Sequence, residues 1–179
     1  PFYLFALGAL FVIFLITKQK SPPLSENKEN LKKISLFDKR VWPFLIVSAS
    51  FGVCNAALVQ TSSFYFQDVI DPDSTNFIAL ASVGFMLSAL GILNGQLLIA
   101  DRLQTSPGSL IRLGIFLIFF SLIGVANSTS LVHIYISLFF YGLGGGMLGP
   151  GISASLSISV GKENQGSASG FLGMVIPIG

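Results

Sequence analysis

The sequence predicts an all-α fold, a polytopic bundle of membrane-spanning helices. Three observations predict it. Hydrophobic residues make up 52% of the chain and charged residues only 10%, against about 25% charged in soluble domains. The apolar residues are gathered into runs long enough to cross a bilayer, for which roughly 20 suffice. All ten Lys and Arg fall in alternate gaps between those runs, seven between positions 18 and 40, then Arg102 and Arg112, then Lys162. The intervening gaps carry none; one holds Asp68, Asp71 and Asp73, and the other reads Asn127-Ser128-Thr129-Ser130. Cytoplasmic loops hold the Lys/Arg excess of membrane proteins, so the basic gaps lie inside. This segregation excludes a nucleic-acid binder, which needs its basic residues on one folded face. The single Cys54 excludes an internal disulfide and a cysteine-based metal cage, and reads as a small core residue.

Six runs follow in order. The first, over 1–17, has no charged region before it and no cleavage site after it, unlike a signal peptide. It reads as the end of a spanning helix, and the chain as an internal fragment of a longer membrane protein. Residues 18–42 form a polar, basic, cytoplasmic linker with Ser21-Pro22-Pro23 and a charged stretch suited to a short surface helix. Spans are expected over about 43–66, 77–100, 110–126 and 131–160, with a truncated one over 167–179. The run over 131–160 is long for one straight crossing, which predicts tilt, a bend at Pro150 or a frayed inner end. The other loops are short, as packed antiparallel neighbours require.

Small residues recur at helical spacing in two runs. Gly84, Ser88, Gly91 and Gly95 form one stripe; Gly142, Gly145, Gly146, Gly149 and Ser153 form another. Lipid tails give helices no hydrophobic reason to associate, so such stripes mark close backbone approach. That contact is either static packing or a surface on which helices rock. On either reading, Leu at Gly145 or Gly149 overpacks it, and Gly149-Pro150-Gly151 permits bending.

Polar groups inside a membrane are costly and face the bundle interior or a watery cavity. Asn55, Gln60, Tyr65 and Tyr141 are the candidates for a substrate cavity. Gln60 serves either a substrate or a neighbouring helix. Tyr65 near the outer end suits an interfacial anchor better than a ligand contact, and Tyr141 and Met174 suit core packing as well as a cavity wall. Asn94 is expected to contact another helix. His133, at the outer margin, reads as a structural residue. No Asp or Glu lies at mid-depth in a complete span, so a proton-coupling carboxylate is expected elsewhere in the protein. No metal-ligating cluster, nucleophile–base pair or phosphate-cradling Gly-rich loop is present, so neither an enzyme nor a cofactor or metal site is expected.

The glycine-rich run from Tyr141 to Val160 leads into a loop where Gln165-Gly166 is followed by Gly170. It resembles the tenth span, inner loop and start of the eleventh span of major facilitator superfamily transporters, in particular the tetracycline and multidrug efflux branch. Leu98-Ile99-Ala100-Asp101-Arg102 is similar to that superfamily's inner-loop signature, although Leu97 stands where a Gly is usual and Gln104, Thr105 and Ser106 replace the basic tail. Leu138 occupies the place of a first-half Arg, which argues for the second half. The resemblance covers the whole chain, from the end of span six to the start of span eleven. It implies a C-terminal bundle whose partners are a missing N-terminal bundle of the same chain, the lipid bilayer and a small-molecule substrate, with no nucleic acid. It also implies an integral protein of a bacterial inner membrane that exports a small amphipathic or drug-like compound by proton-linked alternating access. The alternatives are import of a metabolite and a non-transporting receptor on the same fold. Asp101 and Arg102 would then form a cytoplasmic latch or a solvated loop pair.

Overall fold

Backbone amides and carbonyls find no partner in hydrocarbon, so a run that crosses a bilayer folds as a helix bonded to itself. The computed structural model describes residues 35, 38–70, 76–101, 106–160 and 164–175, which lie in one compact unit, Lys33–Gly179. These residues form five α-helices: α1 Trp42–Tyr65, α2 Phe77–Asp101, α3 Pro107–Ala126, α4 Leu131–Val160 and α5 Gln165–Val175. A π-helical turn, Phe66–Ile70, continues α1. Helices α1 to α4 are each long and apolar enough to cross a membrane. The span expected over 1–17, and most of the linker expected over 18–42, lie outside the described residues.

Local chemistry sets the helix starts. Val41 and Trp42 N–H donate to the Asp38 carbonyl at 2.9 Å, the Arg40 N–H donates to Asp38 Oδ1 at 2.9 Å, and Pro43 occupies the first turn of α1, where a missing N–H costs nothing. Helix α3 begins earlier than the expected 110. Ser109 and Leu110 N–H donate to the Ser106 carbonyl at 2.9 and 3.3 Å, so Ser-Pro-Gly-Ser, which reads as a loop, forms a helical turn. Helix α4 runs unbroken through Pro150 for 30 residues, about 45 Å at about 1.5 Å per residue. It stays helical to Val160, and Pro150 only deprives the Gly146 carbonyl of its usual donor.

Helix α4 is the centre of the bundle. Helices α2 and α3 pack along two of its sides, and α1 and α5 cover part of a third. The α2 stripe meets α4 along its length. A Cβ on Gly91 would fall on the Phe139 carbonyl oxygen, one on Gly95 would lie 2.6 Å from the Leu143 carbonyl, and one on Gly84 would lie 2.6 Å from Leu138 Cδ1. On α3, a Cβ on Gly114 would lie 2.8 Å from the Gly144 carbonyl oxygen. The second stripe needs correction, because its members do not share one neighbour. Gly142 and Gly146 face Ser88 and Ile92 of α2, whereas Gly145 faces Phe51 of α1. Gly149 is exposed, and a Cβ there meets nothing within 4 Å among the described residues, so overpacking against this bundle does not apply to it.

Several hydroxyls in the spans are satisfied inside their own helix. Thr61 donates to the Ala57 carbonyl at 2.7 Å, Ser82 to Ile78 at 2.7 Å, Ser121 to Leu117 at 2.6 Å and Ser137 to His133 at 2.9 Å. Such back-bonding lets a Ser or Thr sit in lipid or core without a partner helix. Asn94 does the same, donating to the Leu90 carbonyl at 2.8 Å from an exposed position. Among the described residues, Asn94 makes no hydrogen bond to a second helix.

Candidate functional site

A groove of about 470 Å³ opens where α1, α4 and α5 fail to close on one another. Helix α1 contributes Phe51 and Asn55, which share a face because they are one turn apart; Gly149 and Ser153 come from α4, and Ser169 and Gly173 from α5. Among the described residues, no charged side chain lines it. Its wall is apolar and aromatic, with neutral hydrogen-bonding groups at a few points, which is the usual make-up of a small-molecule site.

Contacts behind that wall hold it in place. Tyr141 is only 4% exposed, and its hydroxyl donates to Asn55 Oδ1 at 3.3 Å. The Phe51 ring stacks on the Tyr141 ring with centroids 6.1 Å apart and planes 25° apart. Phe51 in turn lies over Gly145, where a Cβ would come within 3.2 Å of its ring. The glycine thus makes the seat for the ring, the ring packs on the tyrosine, and the tyrosine engages the amide.

A second groove of about 410 Å³ lies toward the other end of α1, between α1, α3 and α4, with Thr61, Tyr65 and Asp68 on its edge and Leu58, Leu122 and Ile134 on its floor. Tyr65 crosses it to donate to the Ser128 carbonyl at 2.7 Å. Ser128 is fully buried in the turn between α3 and α4, and its hydroxyl donates back to Gly124 at 2.6 Å. The next residue, Phe66, is also fully buried and packs near Tyr135, at a ring separation of 6.1 Å. Tyr65 and Phe66 therefore fasten this end of α1 to two different parts of the bundle. Interhelical hydrogen bonds in membrane proteins average about 0.6 kcal/mol. Tyr65→Phe is expected to lower unfolding free energy by about that amount without loss of assembly, measured by denaturant titration in micelles. A negligible change would show that water replaces the bond.

The sequence candidates therefore separate. Asn55 lines the groove and Tyr141 stands behind it. Gln60 is exposed on α1 and lines neither groove, and Tyr65 belongs to the second. Gly84 and Gly91 are packing residues against α4, Gly145 seats Phe51, Gly149 lines the groove, and Pro150 is exposed. Asp101 ends α2, and Arg102 lies outside the described residues. Met174 is exposed on α5, and His133 is exposed in the first turn of α4. Sequence reasoning did not single out Phe51; its only signal was its place one turn before Asn55.

The family model described as Major Facilitator Superfamily matches residues 1–179. The chain belongs to the Major Facilitator Superfamily. It is an integral membrane protein of a transporter family, and its helices form an incomplete bundle of the major facilitator type. No curated protein and no solved structure matches it. Among the described residues of this facilitator chain, no group of His, Cys, Asp or Glu is placed to hold a metal ion.

Proposed function

We propose that the protein is a secondary transporter that exports a small, amphipathic or drug-like compound in exchange for protons by alternating access. The supporting observation is the uncharged groove of α1, α4 and α5, with Asn55 as its polar contact and Phe51 as its aromatic one. A fixed charge at mid-depth would favour a charged metabolite, and none lines this groove. In this reading the chain spans the end of helix six to the start of helix eleven of a bacterial inner-membrane protein. Residues 18–42 then form the cytoplasmic linker between bundles, and Asp101 with Arg102 forms a latch at the inner mouth. Export direction and the efflux branch draw on the Gln165-Gly166 likeness. The titrating carboxylate belongs to the N-terminal bundle, since Asp68 and Asp101 stand at helix ends.

The test is proton-gradient-driven uptake of neutral amphipathic dyes into inverted membrane vesicles carrying the full transporter. Asn55→Leu is expected to reduce uptake about tenfold or more at equal expression, the effect of losing roughly 1.4 kcal/mol of binding. Dye movement that ignores the proton gradient, or a variant equal to wild type, would sink the proposal. Accumulation only in right-side-out vesicles would indicate import, and binding without any movement would indicate a receptor.

A further inference from the structure

The groove holds one amide among its lining residues, and which way round it is presented decides what it can bind. Asn55 offers a carbonyl oxygen that accepts and an amino group that donates two hydrogens. A free Asn can flip and serve either kind of ligand. Here it is not free. The Tyr141 hydroxyl is buried, and the bond it donates in the structure goes to Asn55 Oδ1. Flipping the amide would aim N–H at that hydroxyl and leave the buried O–H proton without an acceptor, a state folded proteins avoid. Stacking on Phe51 and the seat at Gly145 hold the tyrosine where this bond requires it. The Asn55 amino group makes no hydrogen bond to another described residue, and Asn55 lines the groove.

We infer that Tyr141 is a positioning residue that locks Asn55 with its amino group toward the groove, so that the site donates hydrogen bonds beside an aromatic face. The ligand it fits is an uncharged planar aromatic compound carrying a carbonyl-type acceptor. Ser153 and Ser169 also line the groove, but a hydroxyl rotates to donate or accept and does not discriminate. Discrimination falls to the one group whose polarity is held. The inference rests on the groove being the substrate site.

Two flat tricyclic probes of nearly equal size separate the cases: 9-fluorenone, which only accepts, and carbazole, which only donates. Binding is measured to the full transporter in lipid nanodiscs, with binding to empty nanodiscs subtracted. Wild type is expected to prefer fluorenone by about tenfold or more, the scale of one oriented hydrogen bond. Tyr141→Phe keeps the ring and removes the lock; the preference should fall to about two-fold or less while carbazole binding rises, which lost packing alone would not produce. Asn55→Ala should also abolish the preference, by weakening fluorenone without improving carbazole. Wild type binding carbazole as well as fluorenone would overturn the orientation and leave the groove assignment standing. A preference lost in Asn55→Ala but kept in Tyr141→Phe would overturn the positioning role. Neither probe binding wild type above empty nanodiscs would overturn the groove assignment and this inference with it.

Discussion

Gly142→Ala is expected to lower the unfolding free energy of the transporter by about 2–3 kcal/mol, read by detergent titration of the protein in micelles. One methyl group is enough, because a Cβ at this position would fall on the Ser88 carbonyl oxygen of α2. Both partners are backbone, so no side chain can rotate away and the helices must separate. The contact they lose is long: Gly84, Gly91 and Gly95 on α2 all lie against α4. Inside a bilayer that loss is not offset, since packing itself holds the helices together. Gly149→Ala, seven residues along the same helix, is the control. A Cβ there meets nothing within 4 Å among the described residues, and replacing a helical Gly by Ala contributes about 0.5–1 kcal/mol of stability. Equal losses at both positions would show that the α2–α4 contact does not hold the bundle.

Gly145→Leu is expected to reduce transport about tenfold or more while leaving most of the stability in place. The closest atom to a Cβ here is the end of the Phe51 ring, at 3.2 Å, and a ring can swing where a carbonyl cannot. Overpacking of this kind costs about 1–3 kcal/mol, and it is relieved by moving Phe51 off Tyr141. The groove wall then changes shape and Asn55 loses its backing. Melting temperature and transport, measured on the same preparation, separate this outcome from the one at Gly142. Normal transport at normal expression would mean that the face of α1 carrying Phe51 is not on the substrate path.

The contrast between Gly142 and Gly145 shows where sequence reading stops. The α2 stripe was legible because all its members meet one neighbour, so period and contact coincide. Helix α4 touches several helices, and its small residues are shared among them: Gly142 and Gly146 toward α2, Gly144 and Gly151 toward α3, Gly145 toward α1. A helical repeat reports that residues lie near one face; it does not report how many partners divide that face. Phe51 was hidden for a related reason. It is one of 17 Phe in the chain, and in a membrane helix a Phe facing lipid and a Phe facing a cavity have the same composition signal. Asn55 stood out as an amide in an apolar run, but its bond to Tyr141 joins positions 86 apart, and nothing local couples them. The early start of α3 was missed because Ser-Pro-Gly-Ser reads equally as a loop or as a capped first turn.

The sequence by itself determined the membrane class, the order of the apolar helices and the side on which the basic loops are expected. These follow from solvation: backbone groups in lipid must bond within their own helix, and cations collect on one side of the bilayer. Each of those constraints acts on a stretch of chain independently of the others. Only the tertiary structure decided that α4 is the centre, that Phe51 sits over Gly145, and that the Asn55 carbonyl is taken by Tyr141. Those are contacts between helices, set by which small residues let two backbones approach, and that choice depends on all the helices at once.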